Sequence, residues 1–325
     1  MTELVNIDLF AGIGGFHTAW RNNKVATVWA SEWNKSSRET YTANYGLVPE
    51  GDITKIDVQN IPPHNILSAG FPCQAFSVSG KQLGFADTRG TLFFDVARIA
   101  EHHQPEMLLL ENVKNFAQHD GGKTLATVLA TLDEIGYSTF WKVLSAKNFG
   151  VPQDRQRIYV VAFRDDLGVE SFEWPDTVPL RRGVKDILVP SGEVPERNYI
   201  VRDDLVVDEV KVAAGNALVS AADKPLRVGH VGKGGQGNRV YHYNGCAITL
   251  SSHGGGAGAK TGLYYTPEGR VRKLVPRETT RLMGFGDDFV PHPSVPQALQ
   301  HSGNAVVVDV AQKIGQQMLK TVPQI

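Results

Sequence analysis

Cysteine is nearly absent from this chain: 325 residues contain two, Cys73 and Cys246. Thiols so few and so far apart can build neither a disulfide framework nor a cysteine-rich zinc site, and no metal is expected. Long apolar runs are lacking too. Nothing approaches the roughly 18 residues of a membrane-spanning helix, and with a strand-like segment directly after Met1-Thr2-Glu3 no signal peptide is expected. A reducing cytoplasm is therefore the expected compartment. An excess of charge of one sign is also missing, since 33 Lys and Arg meet 34 Asp and Glu for a net charge of −1. What remains is ordinary: 42% hydrophobic and 21% charged residues describe a globular protein. The length has room for one large domain and a smaller one.

The neutral average hides a split. From Lys224 to Arg281 there are ten Lys and Arg against two acids, Glu268 and Glu278. Residues 1–223 carry 21 basic and 29 acidic side chains. A local excess of cations suits a polyanion, because phosphate contacts and counterion release dominate nucleic-acid affinity. A solvated basic face would give the same count. Charge alone leaves both open.

Up to about residue 165, short apolar runs alternate with amphipathic patterns. Strands are expected at Leu4–Phe10, Thr27–Glu32, Ile66–Phe71, Met107–Glu111, Thr139–Ser145 and Arg157–Phe163. Helices are expected at Phe16–Asn23, Lys35–Tyr45, Thr91–His103 and Lys123–Ile135 from their i, i+3, i+4 apolar spacing. Such alternation predicts an α/β fold with a mostly parallel, doubly wound sheet. Ligands then collect at the carboxyl ends of the strands. Beyond about residue 180 helical periodicity fades, and residues 229–262 hold eleven glycines among 34 positions. Aromatics and the run Ile248-Thr249-Leu250 make that segment poor linker material. Val306–Leu319 returns to a helical pattern.

Four local patterns carry chemistry. Asp8-Leu9-Phe10-Ala11-Gly12-Ile13-Gly14-Gly15-Phe16 is a glycine turn between a strand and a helix, able to bring a cofactor onto free backbone N–H groups. It lacks the Gly-Lys-Ser/Thr of a P-loop and the spacing of a nicotinamide-binding turn. With Glu32 placed for a ribose diol, it indicates a nucleoside-bearing cofactor of open identity. Gly70-Phe71-Pro72-Cys73-Gln74 puts a cysteine in loop geometry at a strand end, where a thiolate can act as nucleophile. Cys246, inside a β-like run, reads instead as a small core residue. Glu111-Asn112 ends an apolar strand, and a partly desolvated carboxyl there could donate a proton. Gln153-Asp154-Arg155-Gln156-Arg157 opens another strand, so Arg155 and Arg157 are expected to share a face and a site.

In this order, and with Arg277-Glu278…Arg281-Leu282-Met283-Gly284-Phe285 and Gly303-Asn304-Ala305-Val306 following, these patterns resemble the cytosine-C5 DNA methyltransferase family over essentially the whole chain. The stretch Gly232–Tyr241, then Ala247–Ser251 and Gly254-Gly255-Gly256, looks like the recognition segment of its HhaI-type, GCGC-reading members, with Asn238 and His253 as departures. The resemblance implies a Rossmann-like S-adenosylmethionine-dependent catalytic domain at 1–184, completed by a helix at 304–325. It further implies a smaller loop- and β-rich target-recognition domain at 185–275 and a hinge at 276–303.

By the same resemblance, the Cys73 thiolate adds to carbon 6 of cytosine while Glu111 protonates N3. Carbon 5 then takes the methyl group, and loss of its proton expels the thiolate. Asn112 would fix the base edge, with Arg155 and Arg157 orienting the O2 side. Phe10, Ala11, Gly12, Gly14, Glu32, Trp33, Asp52, Ile53, Pro72, Asn304 and Val306 would hold S-adenosylmethionine. The buried target carbon requires base flipping. Ser79, Lys81, Lys233, Gln236, Arg239, His253 and Gly254–Gly256 would contact duplex DNA, Gln236 and Ser79 filling the gap and Arg239 reading guanine. A bacterial, monomeric restriction-modification (type II) enzyme (EC 2.1.1.37) sharing its site with a restriction endonuclease is expected. The rival readings are an RNA (tRNA) cytosine-C5 methyltransferase, a catalytically silent DNA-binding module and a nicotinamide dehydrogenase.

Overall fold

The computed structural model describes residues 4–72 and 92–322. Cys73, Ser79 and Lys81 therefore lie outside the described residues. The chain forms two compact units, the first made of Met1–Leu144, Gln156–Pro175 and Ala311–Ile325. Its strands are β1 (Val5–Leu9), β2 (Ala26–Ser31), β3 (Ile66–Ala69), β4 (Met107–Val113) and β5 (Tyr137–Ser145). After a two-residue β6 (Gln153–Asp154) that belongs to the other unit comes β7 (Gln156–Arg164). The spatial order is β2-β1-β3-β4-β7-β5. β1 pairs in parallel with β2 and β3, and β3 with β4, whereas β4 and β7 are antiparallel. Each expected strand is present, with ends displaced by no more than two residues.

Residue alternation explains how this sheet is covered. Ile7, Leu9, Leu67 and Ala69 share one apolar core with Phe93, Val96, Val128 and Leu132. Those four belong to α3 (Phe93–His103) and α4 (Lys123–Glu134), the helices after α1 (Gly15–Asn22) and α2 (Lys35–Tyr45). The intervening Asn6, Asp8 and Ser68 are buried polar groups on the opposite face. There Trp20 of α1 donates to Ser68 Oγ at 2.7 Å, and Ser68 donates to Asn6 Oδ1 at 2.9 Å. Helix α2 starts where Asn34 Oδ1 accepts from Ser37 N and stops at Gly46, φ 69°. Because the chain leaves β1 on one side for β2 and returns on the other for β3, the order reverses between β1 and β3. A crevice at the carboxyl ends of the strands follows from that reversal.

The second unit comprises Ser145–Arg155 and Asp176–Val310. Its strands are β8 (Leu205–Val207), β9 (Arg227–Val231), β10 (Arg239–His242), β11 (Ala247–Ile248), β12 (Leu263–Tyr265) and β13 (Val271–Arg272). Five form a sheet in the order β13-β12-β10-β9-β8, while β11 pairs with β6. Val212 of α5 (Glu209–Asn216) joins Val228, Val231, Val240, Leu263 and Val271 in a small apolar core. Two short helices follow, α6 (Pro276–Arg281) and α7 (Val295–Asn304). The last helix, α8 (Val308–Thr321), begins in this unit and runs into the first.

This division differs from the expected 1–184, 185–275 and 276–303. Residues 145–155 fall in the second unit because Gln153 and Arg155 bond to carbonyls of Leu250, Leu282, Gly303 and Ala305. Within residues 276–303, α6 is fastened by its own buried carboxylate. Glu278 is fully buried and takes two hydrogen bonds from Arg272, at 2.6 and 2.8 Å, plus the Val189 and Val275 amides at 2.9 Å. That carboxylate fastens α6 to β13.

Candidate active site

The glycine turn after β1 is built from unusual backbone. Phe10 is left-handed at φ 54°, as are Gly12 at 56° and Gly14 at 87°. A Cβ on Gly14 would also overlap the Tyr45 ring, so glycine is required there twice over. The Tyr45 hydroxyl lies 2.9 Å from the Gly14 carbonyl oxygen and 2.7 Å from the Thr18 hydroxyl, and its ring stacks on His17 at 3.9 Å. Glu32 is buried, accepting from Gly12 N at 2.9 Å and Asn34 N at 2.7 Å. Burial raises its pKa, although those amides and Arg38 act against the rise. Beside it Trp33 is 77% exposed, an unusual position for an indole. Asp52 caps the short turn containing Thr54, which lowers its pKa, and the next residue, Ile53, is buried.

Asp8 stands under the same turn. It is fully buried, and neither carboxylate oxygen meets a donor with full geometry. Burial drives its pKa well above the carboxylate range, Glu32 adds to the rise, and the His17 backbone amide offsets it only in part.

At the end of β4, Glu111 is 9% exposed and receives Arg157 Nε at 3.1 Å. The antiparallel register of β4 and β7 sets Glu111 opposite Tyr159 and Val113 opposite Arg157, within reach of that contact. Asn112 is expected to hold a base edge, but its amide donates to the Phe71 carbonyl at 2.9 Å while Val113 N occupies its oxygen at 2.8 Å. It braces the strand end that leads through the exposed Pro72 to Cys73.

Arg157 bonds to Glu111 within the first unit, and the partners of Arg155 lie within the second. The Arg155 side chain is 2% exposed and its guanidinium donates to the carbonyls of Leu250 (3.1 Å), Gly303 (3.0 Å) and Ala305 (3.0 Å), all in the second unit. A fork of planar donors on three carbonyls braces the segments that carry them. Gln153, fully buried, completes the brace by donating to Leu282 O at 2.7 Å and accepting from Leu250 N at 3.0 Å. This brace holds the turn on which Asn304 is exposed and Val306 is buried.

The glycine-rich segment is a set of fastened loops. Lys233 and Gln236 are exposed, Arg239 half-buried at the start of β10, and His253 and Gly254–Gly256 exposed. Ser251 N donates to Lys260 O at 3.0 Å, which closes the base of the loop between them. Cys246 is fully buried and its thiol is pushed up to about 12, chiefly by burial, in keeping with a core residue.

Comparison with known proteins bears on this arrangement. The profile of the C-5 cytosine-specific DNA methylase family matches residues 4–320. The chain belongs to that family. It is 49% identical to the type II methyltransferase M.HhaI of Haemophilus parahaemolyticus, over 97% of this chain and 94% of the relative. Identity to M.HpaII of Haemophilus parainfluenzae is 39%, over 97% and 88% of the two chains. Among solved structures, a Spodoptera frugiperda DNMT2 mutant superposes with a TM-score of 0.71 at 19% identity, covering 99% of this chain and all of that one. Its fold is therefore that of DNA methylases. The activity is cytosine C5 methylation of DNA, as in the type II modification enzymes it resembles.

For this methylase the structure also sorts the cations of residues 224–281 by their partners. Arg272 is held by Glu278, Arg270 by Glu196 and the Tyr199 ring, and Arg281 by Asp287. Arg277 and Lys260 donate to the Phe289 and Pro296 carbonyls. Half of the ten cations thus serve the protein itself. Among the described residues Lys224, Arg227, Lys233, Arg239 and Lys273 have no such side-chain partner. Sequence reasoning also passed over Gln153, Glu278 and Asp8. The first stands two positions before Arg155 with the alternation of a strand, a signal that a shared face could have supplied.

Proposed function

We propose that this methylase transfers a methyl group from S-adenosylmethionine to carbon 5 of a cytosine flipped out of duplex DNA. We further propose that it is the modification enzyme of a bacterial type II restriction-modification system, monomeric and cytoplasmic, reading GCGC in common with a restriction endonuclease. The observation that carries the reading is the Glu111 carboxyl at the end of β4, buried and held by Arg157. It stands beside the Phe71 segment that leads to Cys73.

The residues around the glycine turn fit the cofactor. Gly12 has a positive φ, and a Cβ there would meet nothing nearer than the Phe10 carbonyl oxygen at 4.0 Å. The turn is therefore a cradle with room above it. Asp8 supplies buried acceptor capacity, and Glu32 keeps lone pairs beyond those used by its two amides. Phe10 and Trp33 would take the adenine, Glu32 the ribose hydroxyls, Asp52 and Ile53 the adenine border, with Pro72, Asn304 and Val306 on the methionine side. When bound, S-adenosylmethionine would supply an electrophilic methyl group, its sulfur–methyl bond breaking to leave S-adenosylhomocysteine.

The protein's own part is to make cytosine a nucleophile. The Cys73 thiolate bonds to carbon 6, Glu111 gives N3 a proton, and the electron pair moves to carbon 5, which forms the new carbon–methyl bond. A base removes the carbon-5 proton, the returning electrons break the bond between carbon 6 and sulfur to release the thiolate, and N3 returns its proton to the Glu111 carboxylate. Arg157 holds Glu111 in line for N3. In the second unit, Arg239 reads guanine, Gln236 occupies the vacated stack, and Lys233 with His253 and Gly254–Gly256 line the groove.

The test uses tritiated cofactor with GCGC duplexes, scrambled duplexes and RNA, followed by bisulfite sequencing. Label on GCGC cytosines supports the reading; label on RNA alone overturns the substrate class, and label on another duplex sequence overturns GCGC. A covalent complex with 5-fluorocytosine DNA should form with the native protein and not with Cys73→Ser.

A further inference from the structure

Two loops of the second unit are joined by bonds that none of the roles above requires. The turn Gln236–Asn238 closes on itself through Asn238 N to Gly235 O at 2.8 Å. It then meets the 254–258 loop at two adjacent points. Gly258 N donates to Gly237 O at 2.7 Å, and Ala257 N donates to the Asn238 side-chain oxygen at 2.7 Å.

The glycines of this region are needed for that approach. A Cβ on Gly237 would overlap the Gly255 carbonyl oxygen. One on Gly256 would sit 2.6 Å from Asn238 Oδ1, at a φ of 81°. Ala257, next in line, packs against the apolar core of Val212, Val228 and Val240. The free end of the loop is thus pinned to the core at Ala257 and to its own base at Ser251 and Lys260.

We propose that Asn238 is a positioning residue for sequence recognition: its side-chain oxygen locks the turn carrying Gln236, and Arg239 next to it, onto the 254–258 loop, so that both present one rigid reading surface. The inference rests on the DNA-recognition role proposed for Gln236 and Arg239. Two features separate Asn238 from a reader. Its oxygen is already occupied by Ala257 N, and its backbone amide is spent on Gly235 O within the Gln236–Asn238 turn. A preformed surface raises discrimination because the correct sequence need not bear the entropy of ordering the loops, while a mismatch cannot be met by rearranging them.

The test uses the full-length protein with Asn238→Ala, which removes the acceptor, and Asn238→Asp, which keeps it. In the protein without DNA, amide exchange at Ala257 should be about tenfold faster in Asn238→Ala than in the native protein and close to native in Asn238→Asp, the scale of one intramolecular hydrogen bond. On duplexes, the ratio of kcat/KM for the cognate site to that for single-base-pair variants should fall about tenfold in Asn238→Ala and persist in Asn238→Asp. Cofactor Kd should stay within about twofold in both, since no bond to the cofactor turn is altered. Unchanged exchange at Ala257 in Asn238→Ala would overturn the interlock. Equal loss of discrimination in both variants would overturn positioning and make the Asn238 amide a direct reader. If the native protein modified no DNA, the proposed function would fall, and the exchange measurement alone would still decide the interlock.

Discussion

The two units solve the placement of functional side chains in different ways. In the first, regular strands with apolar interiors end in polar residues, and the order reversal between β1 and β3 brings those ends to one edge. Glu32 directly follows β2 and Glu111 lies in the last three residues of β4, each held by bonds to nearby elements. In the second, little regular structure exists to do this, and buried polar side chains take over. Glu278 gathers Val189, Arg272 and Val275; Gln153 and Arg155 gather Leu250, Leu282, Gly303 and Ala305. A sheet positions by repetition, whereas an irregular unit positions by individual bonds. Substitutions in the first should therefore damage chemistry locally, and those in the second should loosen whole segments.

The sharpest form of the contrast is Glu111→Gln. It preserves shape and removes the acid, so kcat should fall about 10²–10⁴-fold, the usual contribution of a general acid. Thermal stability and cofactor Kd should change little, because the amide can keep an acceptor toward Arg157. Single-turnover methylation measures the first and calorimetry the others. A loss in kcat of less than tenfold would move the acid elsewhere.

Glu278→Gln should behave in the opposite manner. It leaves the Arg272 guanidinium, 2% exposed, without its anion. Breaking a buried pair from one side costs about 3–5 kcal/mol. Urea unfolding should show that loss, together with weakened DNA binding on every sequence. A change below about 1 kcal/mol would mean that the pair contributes no more than a surface bridge, and the contrast between the units would fail.

Smaller again is Arg239→Ala, expected to lose about 1–3 kcal/mol of discrimination at one guanine position. Competition binding across single-base variants reads this directly. Uniform weakening on all sequences would class Arg239 with the phosphate contacts.

The contrast also explains what could be read in advance. Periodicity located β1 to β4 within two residues because each strand's burial alternates or saturates locally. Glu111 was legible since a carboxyl ending an apolar run is conspicuous by itself. Arg155 was legible as a special residue but not in its role: three carbonyls from residues 95 to 150 positions away decide its direction, and no local pattern encodes them. Glycine density near residue 237 was plain in the sequence. Its structural cause is loop-on-loop contact, which becomes visible only when Gly237 and Gly255 are side by side. Long-range bonds made by single side chains are where sequence reading runs out, and the second unit is made of them.

Acid titration compares the units at the smallest scale. His17 and His64 in the first and His301 in the second are each lowered to about 4, mainly by burial; Arg21, His103 and the His292–Lys260 pair respectively add to it. The Pro62 carbonyl works the other way on His64. An unfolded histidine titrates near 6.5. Between about pH 6.5 and 4 the unfolded chain therefore binds protons that the folded one refuses, and stability falls as pH drops through that window, levelling below it. Asp8 and Glu32 act in the opposite sense, since their raised values let the folded state take protons first. The net slope mixes both, so the histidines must be isolated one at a time. His64→Asn should flatten the dependence of unfolding free energy on pH between 4 and 6.5 by on the order of 1–3 kcal/mol. His301→Gln should do the same if the second unit excludes water as well as the first. An unaltered slope in His301→Gln, with a flattened one in His64→Asn, would show that the polar-braced unit admits water or relaxes around a charge where the apolar sheet does not.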